Sequence, residues 1–243
     1  MPTTHRYGSD PSQVADLHLP EGAGPWPVVV VIHGGYWRAR YDRTLMHELC
    51  VDLAGRGWAA WNLEYRRIGP GGTGGWPATF DDVSAGIDQL ALVRAPIDLG
   101  RVVTLGHSAG GQLALSAATR SQCQVSVYAA VGQAAVSDLA QAARLRLSDA
   151  AAVELLGGTP DEVPERYAAA SPRERLPLGV PTLLVHGARD DVVPVTFSLE
   201  LHAAAVAAGD RCDLAVGEHD GHFEHVDPAS SAWATVTRWL ETI

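Results

Sequence analysis

The stretch Val102-Val-Thr-Leu-Gly-His-Ser-Ala-Gly-Gly-Gln112 decides how the rest of the chain is read. Its first four residues are a β-branched apolar run that predicts a strand over Val102–Leu105. From Gln112 to Thr119 the composition predicts a helix. Between them lies Gly106-His107-Ser108-Ala109-Gly110, a G-x-S-x-G pattern at a strand-to-helix turn. A turn that tight forces Ser108 into strained backbone geometry and tolerates only small neighbours, which Gly106, Ala109, Gly110 and Gly111 supply. The hydroxyl is then expected above the sheet, with the Ala109 amide at a helix N-terminus ready to donate to developing negative charge. A bare G-x-S-x-G recurs by chance; the strand before and the helix after give it weight.

Outward from this turn, short apolar runs alternate with amphipathic segments. Pro27-Val-Val-Val-Val-Ile32 is continuous and β-branched, as in strands buried on both faces. Further strands are expected at Trp58–Leu63, Val125–Val131, Thr182–Val185 and Cys212–Val216, with helices from about Asp42 to Arg56 and Phe80 to Arg94. The alternation predicts an α/β fold, a mostly parallel central sheet flanked by helices. Ligands of such sheets bind at the carboxyl ends of the strands. No repeat or long linker interrupts it, so residues 1–243 are expected to form a single domain. Residues 137–177 break the rhythm and predict two or three short helices, a small cap or lid excursion over one end of the sheet.

Composition removes several function classes. The 243 residues carry 18 basic against 28 acidic side chains, a net charge of −10, and every basic one is Arg. Without Lys there is no Schiff-base chemistry, no pyridoxal phosphate anchor and no P-loop lysine. The charge repels nucleic acid and anionic membrane. Cys50, Cys123 and Cys212 form no C-x-x-C pair, which speaks against a disulfide framework or a zinc site, and no H-x-x-x-H helix offers a metal centre. The start, MPTTHRYGSDPSQ, has no apolar leader-type run, and a cytoplasmic protein is expected. Neither cofactor nor metal is expected.

A serine hydroxyl needs a base, and the base a third group to orient it. Carboxylates follow the strand Thr182–Val185 in His186-Gly-Ala-Arg-Asp-Asp-Val-Val-Pro194, and histidines follow the next strand in Gly217-Glu-His-Asp-Gly-His-Phe223. Asp190 and Asp191 compete for the acid; Asp190 is preferred, with Asp191 solvated or capping the next helix. His219, His222 and His225 compete for the base, and His222, after Gly221 in a loop, is preferred. His33-Gly34-Gly35-Tyr36-Trp37 follows the Val28–Ile32 strand. Its glycines let the backbone approach a reacting carbonyl, so Gly34, Gly35 and Tyr36 join Ala109 as the oxyanion-hole set. Tyr36, Trp37, Tyr65, Trp76 and Phe223 are aromatics expected near the mouth; Trp37, Trp76, Tyr65 and Phe223 are taken as substrate-binding candidates. Arg66 or Arg67 with Asp81 or Asp82 is expected to form a structural ion pair.

HGGYW, EYRR at Glu64–Arg67, Trp76-Pro77 leading into Asp81-Asp82, GHSAGG, GARDDVVP and DGHF together resemble the α/β-hydrolase superfamily over about residues 25–243. Within it the HGG-x-W element is similar to hormone-sensitive-lipase-like esterases and, more closely, to the arylformamidases (kynurenine formamidases). The resemblance implies a triad of Ser108, Asp190 and His222 and an oxyanion hole from the HGGYW segment and Ala109. The expected activity is that of a serine esterase on small carboxylic esters, with hydrolysis of N-formyl aryl amides as the alternative. A non-catalytic ligand-binding scaffold on this fold is the rival from another class, and the intact set of three residues argues against it. The expected partner is a small-molecule ester or amide; a homodimer is compatible with the sequence. Residues 137–177 carry no signature of the family.

Overall fold

The continuous apolar run Pro27–Ile32 becomes Trp26–Ile32, β3, and sits near the middle of an eight-stranded sheet in a computed structural model that describes all 243 residues. The strands are β1 (Thr3–Arg6), β2 (Val14–His18), β3, β4 (Ala59–Leu63), β5 (Ile97–His107), β6 (Ala129–Gln133), β7 (Thr182–Gly187) and β8 (Cys212–Gly217). Their spatial order is β1-β2-β4-β3-β5-β6-β7-β8. From β4 to β8 every pairing is parallel, while β1 and β2 add an antiparallel hairpin at one edge.

Alternation along β3 explains why the run is apolar throughout. Val28, Val30 and Ile32 enter one core with Leu113, Leu155 and Phe197, and Val29 and Val31 enter the other with Leu49, Leu53, Trp233 and Val236. Helices therefore cover both faces. They are α1 (His47–Gly55), α2 (Ala78–Asp88), α3 (Ala109–Ala118), α4 (Leu139–Arg144), α5 (Leu147–Leu156), α6 (Pro164–Ala170), α7 (Thr196–Ala207) and α8 (Ser231–Leu240). None is long and apolar enough to cross a membrane. This is the α/β-hydrolase architecture.

Several boundaries differ from expectation for local reasons. The sheet strand expected at Val125 begins only at Ala129. The Val125 amide is held by Asp88 and its carbonyl by Arg120, so that part is pinned by side chains instead of a ladder. The segment expected to be helical from Asp42 starts as a 3₁₀ turn over Arg43–Met46, capped by the Asp42 carboxylate, with α1 following. The helix expected from Gln112 starts at Ala109, because the turn at Ser108 takes no extra residues.

Residues 137–177 hold α4, α5, α6 and a 3₁₀ turn at Pro172–Arg175. They are tied to the sheet's helices and loops: Gln112 Nε2 donates to the Ala170 carbonyl (2.8 Å), Trp76 N to the Leu155 carbonyl (2.7 Å) and Ser137 Oγ to the Phe197 carbonyl (2.8 Å). At the start of α5, Arg146, Ser148, Asp149 and Ala150 all have φ between 49° and 58°. A left-handed turn of non-glycine residues costs roughly 1–2 kcal/mol per residue, so contacts must hold it.

Candidate active site

Ser108 stands between β5 and α3 at φ 57°, ψ −119°. It is 1% exposed. Its amide donates to the Gln133 carbonyl of β6 (2.7 Å), and its carbonyl accepts from the Gln112 amide (3.1 Å), so the strained residue is bonded on both sides. The glycines of the motif are there for clearance. A Cβ on Gly106 would stand 2.1 Å from the Gly110 carbonyl oxygen, and one on Gly110 would stand 2.1 Å from that of Ile32.

Asp190 and His222 meet as expected, from the loops after β7 and β8. His222 Nδ1 donates to Asp190 Oδ2 at 2.7 Å. With that proton on Nδ1, the lone pair of the neutral ring lies on Nε2. The Asp190 side chain is inaccessible to solvent. Its Oδ1 accepts from the Val192 and Val193 amides (2.9 and 2.8 Å), which fixes the carboxylate plane. His186, at the end of β7, reaches the same Oδ2 at 3.2 Å and the Val193 carbonyl at 2.9 Å through Nε2, while its Nδ1 lies 2.7 Å from Ser198 Oγ. Two acceptors at Nε2 place the proton there, so Ser198 donates to Nδ1. Burial opposes the charge on Asp190, but hydrogen bonds from His186 and His222 outweigh it and hold the carboxyl well below the usual carboxylate range.

The competing residues fall elsewhere. Asp191 is exposed. His219 is exposed and contacts Arg189 at 2.9 Å. His225 is fully buried with no hydrogen-bond partner on either ring nitrogen. Burial, and then His186 and His222, push its pKa down to about 3. His107 is likewise held well below the usual histidine range by burial and by His222 and His225, and as the neutral ring it donates Nε2–H to the His222 carbonyl (2.9 Å).

The HGGYW segment folds over the other side of Ser108. Gly34 passes so close that a Cβ there would lie 3.1 Å from the Ser108 Cβ. Gly35 (φ 104°) and Tyr36 (φ 50°) turn the chain, and neither amide donates to any protein acceptor. The Ala109 amide opens α3, where helical N–H groups lack intrahelical acceptors. His33 anchors the segment: its Nε2 donates to Glu64 Oε1 (2.9 Å), its ring stacks on Tyr65 at 4.4 Å, and Tyr65 Oη donates to the His33 carbonyl (2.9 Å). Glu64 is 2% exposed, and despite its burial the hydrogen bond and charge of His33, with Arg67, keep it ionised below its ordinary range. In the sequence the signal for this anchor is a Glu placed directly after the strand Ala59–Leu63.

Ser108, His222 and His107 line one cavity of about 240 Å³. Its walls are Gly35, Tyr36, Tyr41, Leu45, Val192, Phe223 and Val226, with Arg40 and Ser148 at one end. Phe223 takes the expected place, 67% exposed at the rim. Three of the expected aromatics do not line the cavity. Trp37 is fully buried, with Nε1 donating to Gln112 Oε1 (3.1 Å), and Tyr65 is fully buried beneath His33. Trp76 packs edge-to-face on Phe80 at 5.1 Å. For Trp37 and Tyr65 the indole and the phenol find hydrogen-bond partners in the core, where a large ring contributes most, while half-buried Trp76 packs against the edge of that core. Arg66 pairs bidentately with buried Asp82 (2.7 and 2.8 Å), the structural pair expected.

Comparison with known proteins gives a family and a fold. The BD-FAE family model matches residues 15–205. Esterase LipC of Mycobacterium tuberculosis is 31% identical over 211 residues, covering 78% of this chain and 51% of that protein, so the chain spans about half the length of the curated relative. Among solved structures, a truncated carbohydrate esterase from gut microbiota superposes with a TM-score of 0.82 at 21% identity, covering 99% of this chain and 95% of that one. A thermophilic esterase of Thermogutta terrifontis does so with a TM-score of 0.80 at 21% identity, over 99% and 90%. By a family match that runs from β2 into α7, through the serine turn and the Asp190 loop, the chain belongs to the BD-FAE family, on the α/β-hydrolase fold.

Proposed function

We propose that this protein is a serine esterase acting on small carboxylic esters. The observation that carries the reading is the 2.7 Å bond from His222 Nδ1 to buried Asp190, made at the wall of a small cavity that Ser108 also lines. In this reading His222 Nε2 takes the Ser108 proton as Oγ attacks the ester carbonyl. The oxyanion is met by the free amides of Gly35 and Tyr36 and by that of Ala109, with Gly34 giving the loop its close approach. The imidazolium then protonates the leaving alkoxide, and a water deprotonated by His222 cleaves the acyl-enzyme to release the acid. The related esterases support it: the Thermogutta protein has been described with butyrate bound and phosphonylated by sarin.

The same reading treats the chain as one domain with residues 137–177 as a cap, since Ser148 of that segment reaches the cavity. A small ester is its partner, nucleic acid and membrane being disfavoured by the net charge of −10. Three unpaired cysteines support a reducing, cytoplasmic setting. The test is labelling with a fluorophosphonate, read by intact mass. One adduct in the native protein and none in Ser108→Ala is the expected result. An unlabelled native protein would favour a non-catalytic scaffold, and turnover of N-formyl aryl amides matching the best ester would move the assignment to amide hydrolysis.

A further inference from the structure

Two cavities meet beside the candidate site. The one that holds Ser108 is largely apolar; a larger one, about 590 Å³, opens beyond it and is lined by Arg38, Asp149 and Glu154 among others. Arg40 and Ser148 border both. Of the other charges at this junction, Arg38 and Glu154 pair with each other. Arg38 donates to Glu154 (2.8 Å) and to the Ser148 carbonyl (2.6 Å), which neutralises Glu154 and fastens the left-handed turn. Asp149 borders the larger cavity only.

Arg40 is different. Of the side chains lining the Ser108 cavity it is the one that carries a permanent charge. It has no carboxylate within ion-pair distance and donates no hydrogen bond to the protein. Its guanidinium lies 4.9 Å from the centre of the Tyr41 ring, and Tyr41 is itself a cavity wall. Stacking on an aromatic face uses the plane of a guanidinium and leaves its N–H edge free, the edge that matches a carboxylate bidentately. Arg40 is exposed at the cavity, so that edge is open to a ligand entering from solvent.

We infer that Arg40 is a specificity residue that reads an anionic group, a carboxylate, on the ester substrate. The inference rests on the esterase reading and deepens it. A carboxylate borne by the acyl chain or one borne by the alcohol part offers the same chemistry, and the experiment separates them.

The acyl arm compares 4-nitrophenyl hydrogen glutarate with its methyl ester; the alcohol arm compares 4-acetoxybenzoate with methyl 4-acetoxybenzoate. The quantity read is the kcat/KM ratio of anionic to neutral ester. Arg40→Gln is expected to lower that ratio at least tenfold in one arm, which names the part that carries the charge. Arg40→Lys, keeping the charge but not the fork, should retain part of the preference, and raising NaCl from about 0.05 to 0.5 M should narrow it in the native enzyme. Ratios equal in native and Arg40→Gln protein in both arms would overturn the inference. If no ester is turned over, the esterase reading fails instead, and binding decides the role of Arg40. Ser108→Ala titrated with both pairs should hold the anionic member of one pair at least tenfold tighter, and equal affinities within both pairs would overturn it.

Discussion

The Tyr36 hydroxyl donates to the Val192 carbonyl at 2.8 Å, joining the segment after β3 to the Asp190 loop across 156 positions of chain. Two residues earlier in the chain, Asp190 Oδ1 accepts from the Val192 and Val193 amides, so one short peptide donates its amides to the candidate acid and accepts at its carbonyl from the candidate oxyanion loop. Burial and the Asp190 charge push the Tyr36 pKa up to about 12, which keeps the phenol protonated and donating.

Tyr36→Phe tests that strut. A neutral hydrogen bond contributes about 1 kcal/mol, so the melting temperature should fall by roughly 2–4 °C. Loosening the loop should also lower kcat more than it raises KM, because its amides act on charge that develops only in the transition state. A change in KM alone would show that Tyr36 is cavity wall and nothing more.

Ser108→Ala and His222→Ala are each expected to lower kcat by about 10⁴-fold or more with the fold intact, and the double variant should be scarcely worse than either. Steady-state kinetics with circular dichroism on all three proteins checks this. Additive losses would mean that the two residues do not act as a unit.

Asp190→Asn should cost far more activity than Asp191→Asn. The first removes the acceptor that fixes the proton on His222 Nδ1; the second alters an exposed carboxylate. NMR of the imidazole N–H should show the Nδ1 proton lost in Asp190→Asn alone. Equal kinetic effects would sink the assignment of the acid.

His225 predicts an acid-sensitive core. Its pKa is about 3 in the fold against an ordinary 6.5, so between these pH values the unfolded chain binds a proton that the folded chain does not. Stability then rises with pH across that window, and at pH 5 the fold lacks about 2 kcal/mol that it has at neutral pH. His107, depressed by the same burial, acts in the same sense. Asp190 and Glu64, whose values are lowered, lose their contribution only in more acid solution. Urea titrations at pH 7.5 and 5.0 should therefore show a drop that His225→Leu reduces by about 2 kcal/mol. Since neither ring nitrogen has a partner, the leucine should not destabilise at neutral pH. An unchanged pH dependence would refute the attribution.

With a cavity near 240 Å³ walled by Tyr36, Tyr41, Leu45 and Val192, the acyl group has little room. Each methylene that fits contributes about 0.8 kcal/mol, and the first that does not costs more through overpacking. For p-nitrophenyl esters kcat/KM should peak between acetyl and butyryl and fall steeply by octanoyl. A maximum at long chains would show that the cap opens into a groove.

The sequence alone determined what depends on local backbone and chain order. A G-x-S-x-G between a β-branched run and a helix admits one turn, because only glycine clears Gly110 and Ile32 at those distances. Carboxylate and histidine after successive strands are delivered to the same sheet edge by parallel topology, so Asp190 and His222 could be named in advance. Tertiary structure decided which way the aromatics face. Trp37 and Tyr65 stand beside glycines and a buried glutamate in sequence, as a wall residue would, yet packing and a partner for each polar atom draw them into the core. Tyr41, Leu45 and Val192 became the walls instead. The edge hairpin of β1 and β2 and the left-handed turn at Ser148 also escaped the sequence reading. Four- and five-residue polar-apolar strands carry little periodic signal, and a turn costly in itself is held by a hydrogen bond from Arg38, 110 positions away.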